Sequence, residues 1–379
     1  MAQMTGSQAV VRSLAREGVE AVFALPGAQI MGLFDALYDQ PDMRVITVRH
    51  EQTTTFMADG YARVKGKPGV ALVVPGPGVQ NASAGLTTAY SSSSPVLLLA
   101  GQIESAMIGK HKGALHEIND QLDIVRPVTK WCRRVLTVGE IPGAIHEAMR
   151  QMKTGRPQPT EIEIPPDVLA SSAEVELPEP EDYPRLAADR ERIRQAAALL
   201  LSARKPLIWA GGGVILADAC KELTALAEML GAPVATTAEG KGSIAEDHPL
   251  ALGGSYHGMG GPAGATPQAD VLLAVGTRFS RQMTGGTKPN ANQLLVHIDA
   301  DADVFGRNFP AKVAIAADAK MALSDRLDEI RERVQRRDGR SRRSPKFVKI
   351  ASSRSRSSLL CSAKSSPRSR RLWTRTPSW

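Results

Sequence analysis

The sequence predicts an α/β protein of two doubly wound parallel-sheet domains followed by a disordered basic tail. Three observations carry this. Five short apolar runs alternate with helical segments over roughly the first 165 residues, and the same pattern returns after a proline-rich stretch. Each run ends in glycine, in proline or at a charged junction. The runs are apolar throughout rather than alternating, as in strands covered on both faces.

In chain order, "MAQMTGSQAVVRSLAREG" reads as an amphipathic helix with Thr5 or Ser7 as N-cap. It lacks the apolar stretch and cleavage site of a secretory signal. The strands follow. "EAVFAL" ends at Pro26-Gly27, "MRVITVRH" at Glu51 and "GVALVV" at Pro75-Gly76-Pro77-Gly78. "PVLLLA" ends at Gly101-Gln102 and "PTEIEI" at Pro165-Pro166. Helical segments lie between them at 28–38, 52–64, 80–91 and 141–152. Residues 1–170 thus form one domain.

The stretch "SSAEVELPEPEDYPRL" has no period of strand or helix, and residues 171–189 read as an acidic linker. Residues 190–336 form the second domain: "KPLIWAGGG" as strand and glycine turn, a helix over 217–230, and strands "PVATT", "DVLLAVG", "QLLVHID" and "VAIAA". A helix over 321–334 closes it. Residues 337–379 are rich in arginine and serine, carry little apolar content and read as disordered.

The net charge of +8 invites a nucleic-acid partner, but residues 341–379 alone contribute +11 and the rest of the chain −3. The basic character belongs to the tail. No apolar run reaches the ~18 residues of a membrane helix. Cys132, Cys220 and Cys361 show no metal or disulfide spacing. A cytoplasmic location is the expectation.

Ligands of open α/β sheets bind beyond the carboxyl ends of the strands. In the first domain those ends carry Pro26, Gly27, Glu51, Gly76, Pro77 and Gly78. Taken singly, a Pro-Gly after a strand is more often a plain turn, and a glutamate at a helix start more often a solvated carboxylate. Their coincidence at one sheet edge is what points to a site.

The stretches "VFALPG", "RHEQTTTFMADGYARVKGKPGVALVVPGPGVQNASAGLTTAY" and "SPVLLLAGQ" resemble the pyrimidine-binding domain of thiamine diphosphate-dependent enzymes, above all the acetolactate synthase group. "KPLIWAGGGV", "DVLLAVGTRFSRQMTGG" and "VHIDAD" are similar to that group's central domain. The resemblance covers roughly residues 5–336. It implies decarboxylation and carboligation of 2-keto acids, a transferase or lyase of branched-chain amino acid biosynthesis, and a homo-oligomer. It implies that Glu51 exchanges a proton with the cofactor's aminopyrimidine ring, which calls for a carboxylate in a dry place. Pro26, Gly27, Gly76, Pro77, Gly78 and Asn81 would line that ring. Gly211, Gly212, Gly213, His257, Gly258, Arg278 and Asp299 fall where the group holds FAD, although related decarboxylases keep this domain without flavin, and "AGGGV" alone reads equally as a strand–helix turn.

Two departures bear on the substrate. Leu115-His116-Glu117 stands where the group has Phe-Gln-Glu, and the threonines Thr53–Thr55 and the bulky Phe56 follow "HEQ" where it has small residues. His116 reads either as a proton donor or as a polar loop residue. The family's Gly-Asp-Gly segment and downstream Asn, which hold Mg²⁺ and the cofactor's diphosphate, have no counterpart in the sequence. The expectation is therefore a truncated chain that binds only the pyrimidine half of thiamine diphosphate, its tail an out-of-frame translation, and that is inactive alone. The other readings are a non-catalytic flavin- or nucleotide-binding remnant, another thiamine diphosphate-dependent decarboxylase, and, least favoured, nucleic-acid binding through the tail.

Overall fold

The computed structural model describes residues 1–255, 259–280 and 292–324. His257, Gly258, Cys361, most of the expected 321–334 helix and the 337–379 tail lie outside the described residues.

The chain opens with β1 (Ala2–Thr5), α1 (Gly6–Arg16) and β2 (Ala21–Ala24), then α2 (Met31–Tyr38) and β3 (Arg44–Thr47). Next come α3 (Glu51–Lys65), β4 (Gly69–Val73), α4 (Pro77–Ser92) and β5 (Val96–Gly101). The short α5 (Leu122–Val125), β6 (Trp131–Arg134), α6 (Ile141–Lys153), β7 (Thr160–Ile164) and α7 (Pro166–Ala170) complete this unit. Its six-stranded sheet runs β3-β2-β4-β5-β7-β6, with every neighbouring pair parallel. One face is covered by the cluster of Leu14, Leu33, Ile145 and Met149, the other by that of Val79, Leu86 and Val125. Strand β4 is buried along its whole length, which is why its sequence is apolar at every position.

Local chemistry sets the helix ends. Thr5 caps α1: its Oγ1 accepts the Gln8 N–H while Gln8 Oε1 accepts the Thr5 N–H. Helix α3 ends on Gly66 at φ 66°, a left-handed cap that costs glycine little.

The linker is more ordered than its composition suggests. Ser172–Val175 forms β8, antiparallel to β1 in a separate two-stranded sheet. Further along, Glu179 pairs with Arg16, Glu181 lies 3.7 Å from His146, and Leu186 O accepts the Asp318 N–H at 2.9 Å. Glu179 and Glu181 thus lie against basic positions of the first unit.

The second unit has α8 (Arg190–Ser202), β9 (Pro206–Ala210), α9 (Gly212–Leu216), α10 (Cys220–Leu230), β10 (Val234–Thr236) and β11 (Ala251–Gly254). It continues with α11 (Gly261–Ala265), β12 (Val271–Val275), β13 (Leu294–Asp299) and β14 (Val313–Ala316), and residues 319–324 are helical. Its sheet is also six-stranded and parallel, ordered β11-β10-β9-β12-β13-β14. The helix expected over 217–230 starts only at Cys220, because Asp218 takes φ 53° and turns the chain between α9 and α10. No described helix is long and apolar enough to cross a membrane.

Candidate functional site

Both sheets change winding direction at one point. In the first, β2 has β3 on one side and β4 on the other; in the second, β9 lies between β10 and β12. Ligands of such sheets bind beyond the strand ends at the switch. The predicted residues of each unit gather at those ends.

At the first switch, Glu51 begins α3, where His50 Nδ1 accepts the Gln52 N–H. Glu51 Oε2 accepts Asn81 Nδ2–H at 3.0 Å. The two helices can bring these side chains together because they pack closely. A Cβ on Gly85 of α4 would stand 2.2 Å from Thr55 Oγ1 of α3, and that hydroxyl donates to Ala82 O at 2.8 Å. Thr54 and Thr55 are therefore buried spacers between helices, while Phe56 faces outward at 40% exposure. The Glu51 carboxylate is half-buried, less enclosed than the sequence reading anticipates.

The glycine turn after β4 leads into α4, which carries Asn81. Gly76 has φ 59° and ψ −111°, and a Cβ there would lie 2.4 Å from His116 O. Its N–H donates to Gln121 Oε1 at 2.8 Å, and Gln121 Nε2 donates to Gly101 O at 2.9 Å. Gly27 and Gly78 flank Val74, where Cβ atoms would stand 2.2 and 2.8 Å from its methyls. Pro77 opens α4 and, like Pro26, is exposed. The Leu115-His116-Glu117 stretch has a structural explanation. The Glu117 carboxylate accepts the N–H groups of Lys112, Gly113 and Ala114. Desolvation raises its pKa, but these bonds outweigh it and hold the carboxyl below its ordinary value. His116 takes φ 69°, and its Nδ1 is buried without a partner.

Behind this turn lies a polar cluster that sequence reasoning missed. Glu161 and Glu163 of β7 are both buried, and neither Glu161 oxygen has a partner. Burial, and then repulsion from Glu163, push the Glu161 carboxyl up. Burial also raises Glu163, against the opposing Arg134, which pairs with it and with Asp120 at 2.7 Å. The sequence reading placed this stretch in a strand covered on both faces but singled out neither glutamate.

The second switch opens on a cleft of about 790 Å³ between the two units. Gly212, Gly213, Arg278 and Asp299 line it. Gly211 stands just behind, its Cβ position 2.3 Å from Gly276 O, so the turn and the β12 end meet backbone to backbone. Burial raises the Asp299 pKa to about 6 against the Asp301 N–H it accepts. Arg278 Nη2 crosses to Ser91 O at 2.8 Å. The opposite wall carries a residue the sequence reading overlooked. Arg156 Nε donates to Ser93 Oγ at 2.9 Å, Nη1 lies 3.7 Å from Asp301, and Nη2 is buried with no partner. Its signal in the sequence was a Gly-Arg-Pro turn between a helix and a strand.

Among the described residues no three His, Cys, Asp or Glu are grouped to hold a metal ion. Cys132 and Cys220 are free thiols.

Comparison with known proteins gives these features a context. Residues 4–124 match the family described as thiamine pyrophosphate enzyme, N-terminal TPP binding domain, and residues 193–325 match thiamine pyrophosphate enzyme, central domain. A probable acetolactate synthase large subunit of Methanocaldococcus jannaschii is 39% identical over 333 residues, 86% of this chain and 56% of the relative. The acetolactate synthase large subunit of Buchnera aphidicola is 35% identical over 344 residues, 88% and 59% respectively. A probable 2-ketoarginine decarboxylase of Pseudomonas aeruginosa is 38% identical over 328 residues, 84% and 57%. The chain spans somewhat over half the length of these relatives.

Proposed function

This chain belongs to the thiamine pyrophosphate enzymes, of the acetolactate synthase-like kind, and on that premise we propose that it serves 2-keto acid decarboxylation and carboligation. One observation carries the proposal: a carboxylate at the end of β3, beside the switch, held by Asn81 of the helix that opens on the Gly76 turn. Thiamine diphosphate, when bound, supplies the nucleophilic carbon and the electron sink for decarboxylation. The chain's own residues do the rest. Glu51 holds and releases a proton at the pyrimidine nitrogen. Asn81 occupies one of its oxygens and so fixes the carboxylate's rotation. Gly27, Gly76 and Gly78 close the chain around these strand ends, where a Cβ would meet a Val74 methyl or the His116 carbonyl and no side chain could stand. The described residues do not group three His, Cys, Asp or Glu side chains that could hold Mg²⁺.

We assign the cleft to FAD in a structural role. A volume of about 790 Å³ lies in the ~300–1,000 Å³ range of cofactor sites. Arg156, with its unpaired buried nitrogen, and Arg278 would hold the diphosphate, and Gly212 and Gly213 would let it approach the backbone. The exposed Phe56 beside Glu51 favours pairing of two such domains in a homo-oligomer. His116, with an unpaired ring nitrogen, favours a second reading, a decarboxylase that releases its product without ligation.

The test is an assay of pyruvate consumption with thiamine diphosphate, Mg²⁺ and FAD, using this chain joined to the C-terminal portion of the M. jannaschii relative. Acetolactate formation supports the proposal; carbon dioxide with free aldehyde favours the second reading. Bound flavin without turnover of any 2-keto acid would leave a non-catalytic binding protein.

A further inference from the structure

Helix α6 ends at Lys153, and its last carbonyls have no partner within the helix. A lysine from elsewhere supplies one. Lys130, just before β6, sends its Nζ to Gln151 O at 2.7 Å, Thr154 O at 2.7 Å and Arg156 O at 3.3 Å. An ammonium carries three N–H donors, and all three are used. Its backbone N–H binds Pro159 O at 2.7 Å, so one residue grips both ends of the segment that follows α6. Gly155 at φ 58° bends the chain around the ammonium. Burial, and then the neighbouring Arg150, lower the Lys130 pKa, as expected for a cation kept in place by carbonyls rather than water.

The segment so held ends in Arg156, the cleft residue with an unpaired buried Nη2. We propose that Lys130 is the positioning residue of the cleft: its ammonium fixes the 154–156 turn so that Arg156 presents its guanidinium to a ligand's diphosphate. This rests on the nucleotide reading of the cleft. A purely structural lysine would serve the fold without regard to phosphate, and the two roles make different predictions.

The experiment titrates the full chain with FAD and with riboflavin, which lacks phosphate, following flavin fluorescence. Lys130→Met should weaken FAD binding by roughly 10-fold or more, the scale of one charge-assisted hydrogen bond, and leave riboflavin unchanged. Arg156→Met should do the same. The double variant should bind FAD no more weakly than Arg156→Met alone, because one residue acts through the other. Equal losses for both flavins, no loss at all, or losses that add would overturn the proposal. Should K130M fail to fold, Lys130→Gln, which keeps an N–H donor, is read the same way. A wild-type chain that binds neither flavin refutes the nucleotide reading. Amide exchange over residues 153–158 then decides only the part independent of flavin: acceleration in K130M upholds the fixing of the 154–156 turn by Lys130, and unchanged rates sink it as well.

Discussion

Asn81 Nδ2 donates to Glu51 Oε2 across 3.0 Å, joining the first residue of α3 to the second turn of α4. The pair depends on the helix spacing set by Thr55 and Gly85. In the chain completed with a relative's C-terminal portion, Glu51→Gln should lower turnover ~10²–10⁴-fold, the usual cost of removing a positioned acid–base group. Gln keeps the shape and the Asn81 contact, so the melting temperature should hardly move. Full turnover in that variant would refute the role given to Glu51.

Gly76 is strained for any other residue. Its φ is 59°, and a Cβ would press on His116 O at 2.4 Å. Gly76→Ala should therefore push the 115–117 loop outward and cost on the order of 1–3 kcal/mol of stability. Chemical denaturation measures this. A variant as stable as the parent would mean that the turn and loop move freely past each other.

The buried Glu161–Glu163 pair makes stability depend on pH. Both folded pKa values are raised, Glu161 by burial and its neighbour, Glu163 by burial. A raised group contributes its full stability below the unfolded pKa and loses it as pH rises through the folded one. Glu161 faces Glu163, Arg134, Cys132 and Asp120, of which only Arg134 favours its ionised form. Glu161→Gln should thus gain on wild type in melting temperature as pH rises from 5 to 9. A gap independent of pH would show that Glu161 does not titrate there.

Asp299 gives a narrower window. Its pKa rises to about 6 through burial, so its contribution is present below the ordinary value near ~3.9 and lost between there and about pH 6. Carbon-13 titration of the carboxyl should show an inflection near 6. An inflection near 4 would mean that the cleft floor is wetter than its packing indicates.

Phe56 stands 40% exposed on the outer face of the α3–α4 pair. An aromatic ring left on a helix pair is the kind of surface that associates. Sedimentation velocity should find wild-type dimers or larger species, and Phe56→Asp should shift them toward monomer with an unchanged far-UV spectrum. A wild-type chain that is monomeric at tens of micromolar concentration argues against pairing through this face.

Strands whose two faces are both covered mostly declared themselves in the sequence by apolar runs; β4 and β5 are examples, while β7 buries Glu161 and Glu163. Of the edge strands, β3 and β14 were read as strands and β6 and β11 were not. "WCRR" of β6 reads as polar because it has one neighbour and partly faces solvent, and "ALGG" of β11 is half glycine. The β1–β8 pair was hidden for a different reason, being made of segments separated by about 170 positions and matched by nothing local. At the site, Glu51 and the glycines were legible because strand ends and glycine turns leave marks. Arg156, Lys130 and Gln121 were not. Their importance lies in which carbonyls and amides they reach, and each looks like an ordinary surface polar residue until the chain is folded.

The β1–β8 pairing also has a consequence in time. Ala2–Thr5 cannot find its partner until Ser172–Val175 has been made. At translation rates of ~5–20 residues per second that is a wait of roughly 10–30 s. During it, the first strand hangs with unpaired edge groups while the six-stranded sheet beside it assembles from strands that already exist. A nascent chain arrested before residue 172 should therefore hold a formed six-stranded sheet and a loose N-terminus open to proteases. Release past residue 175 should close that end.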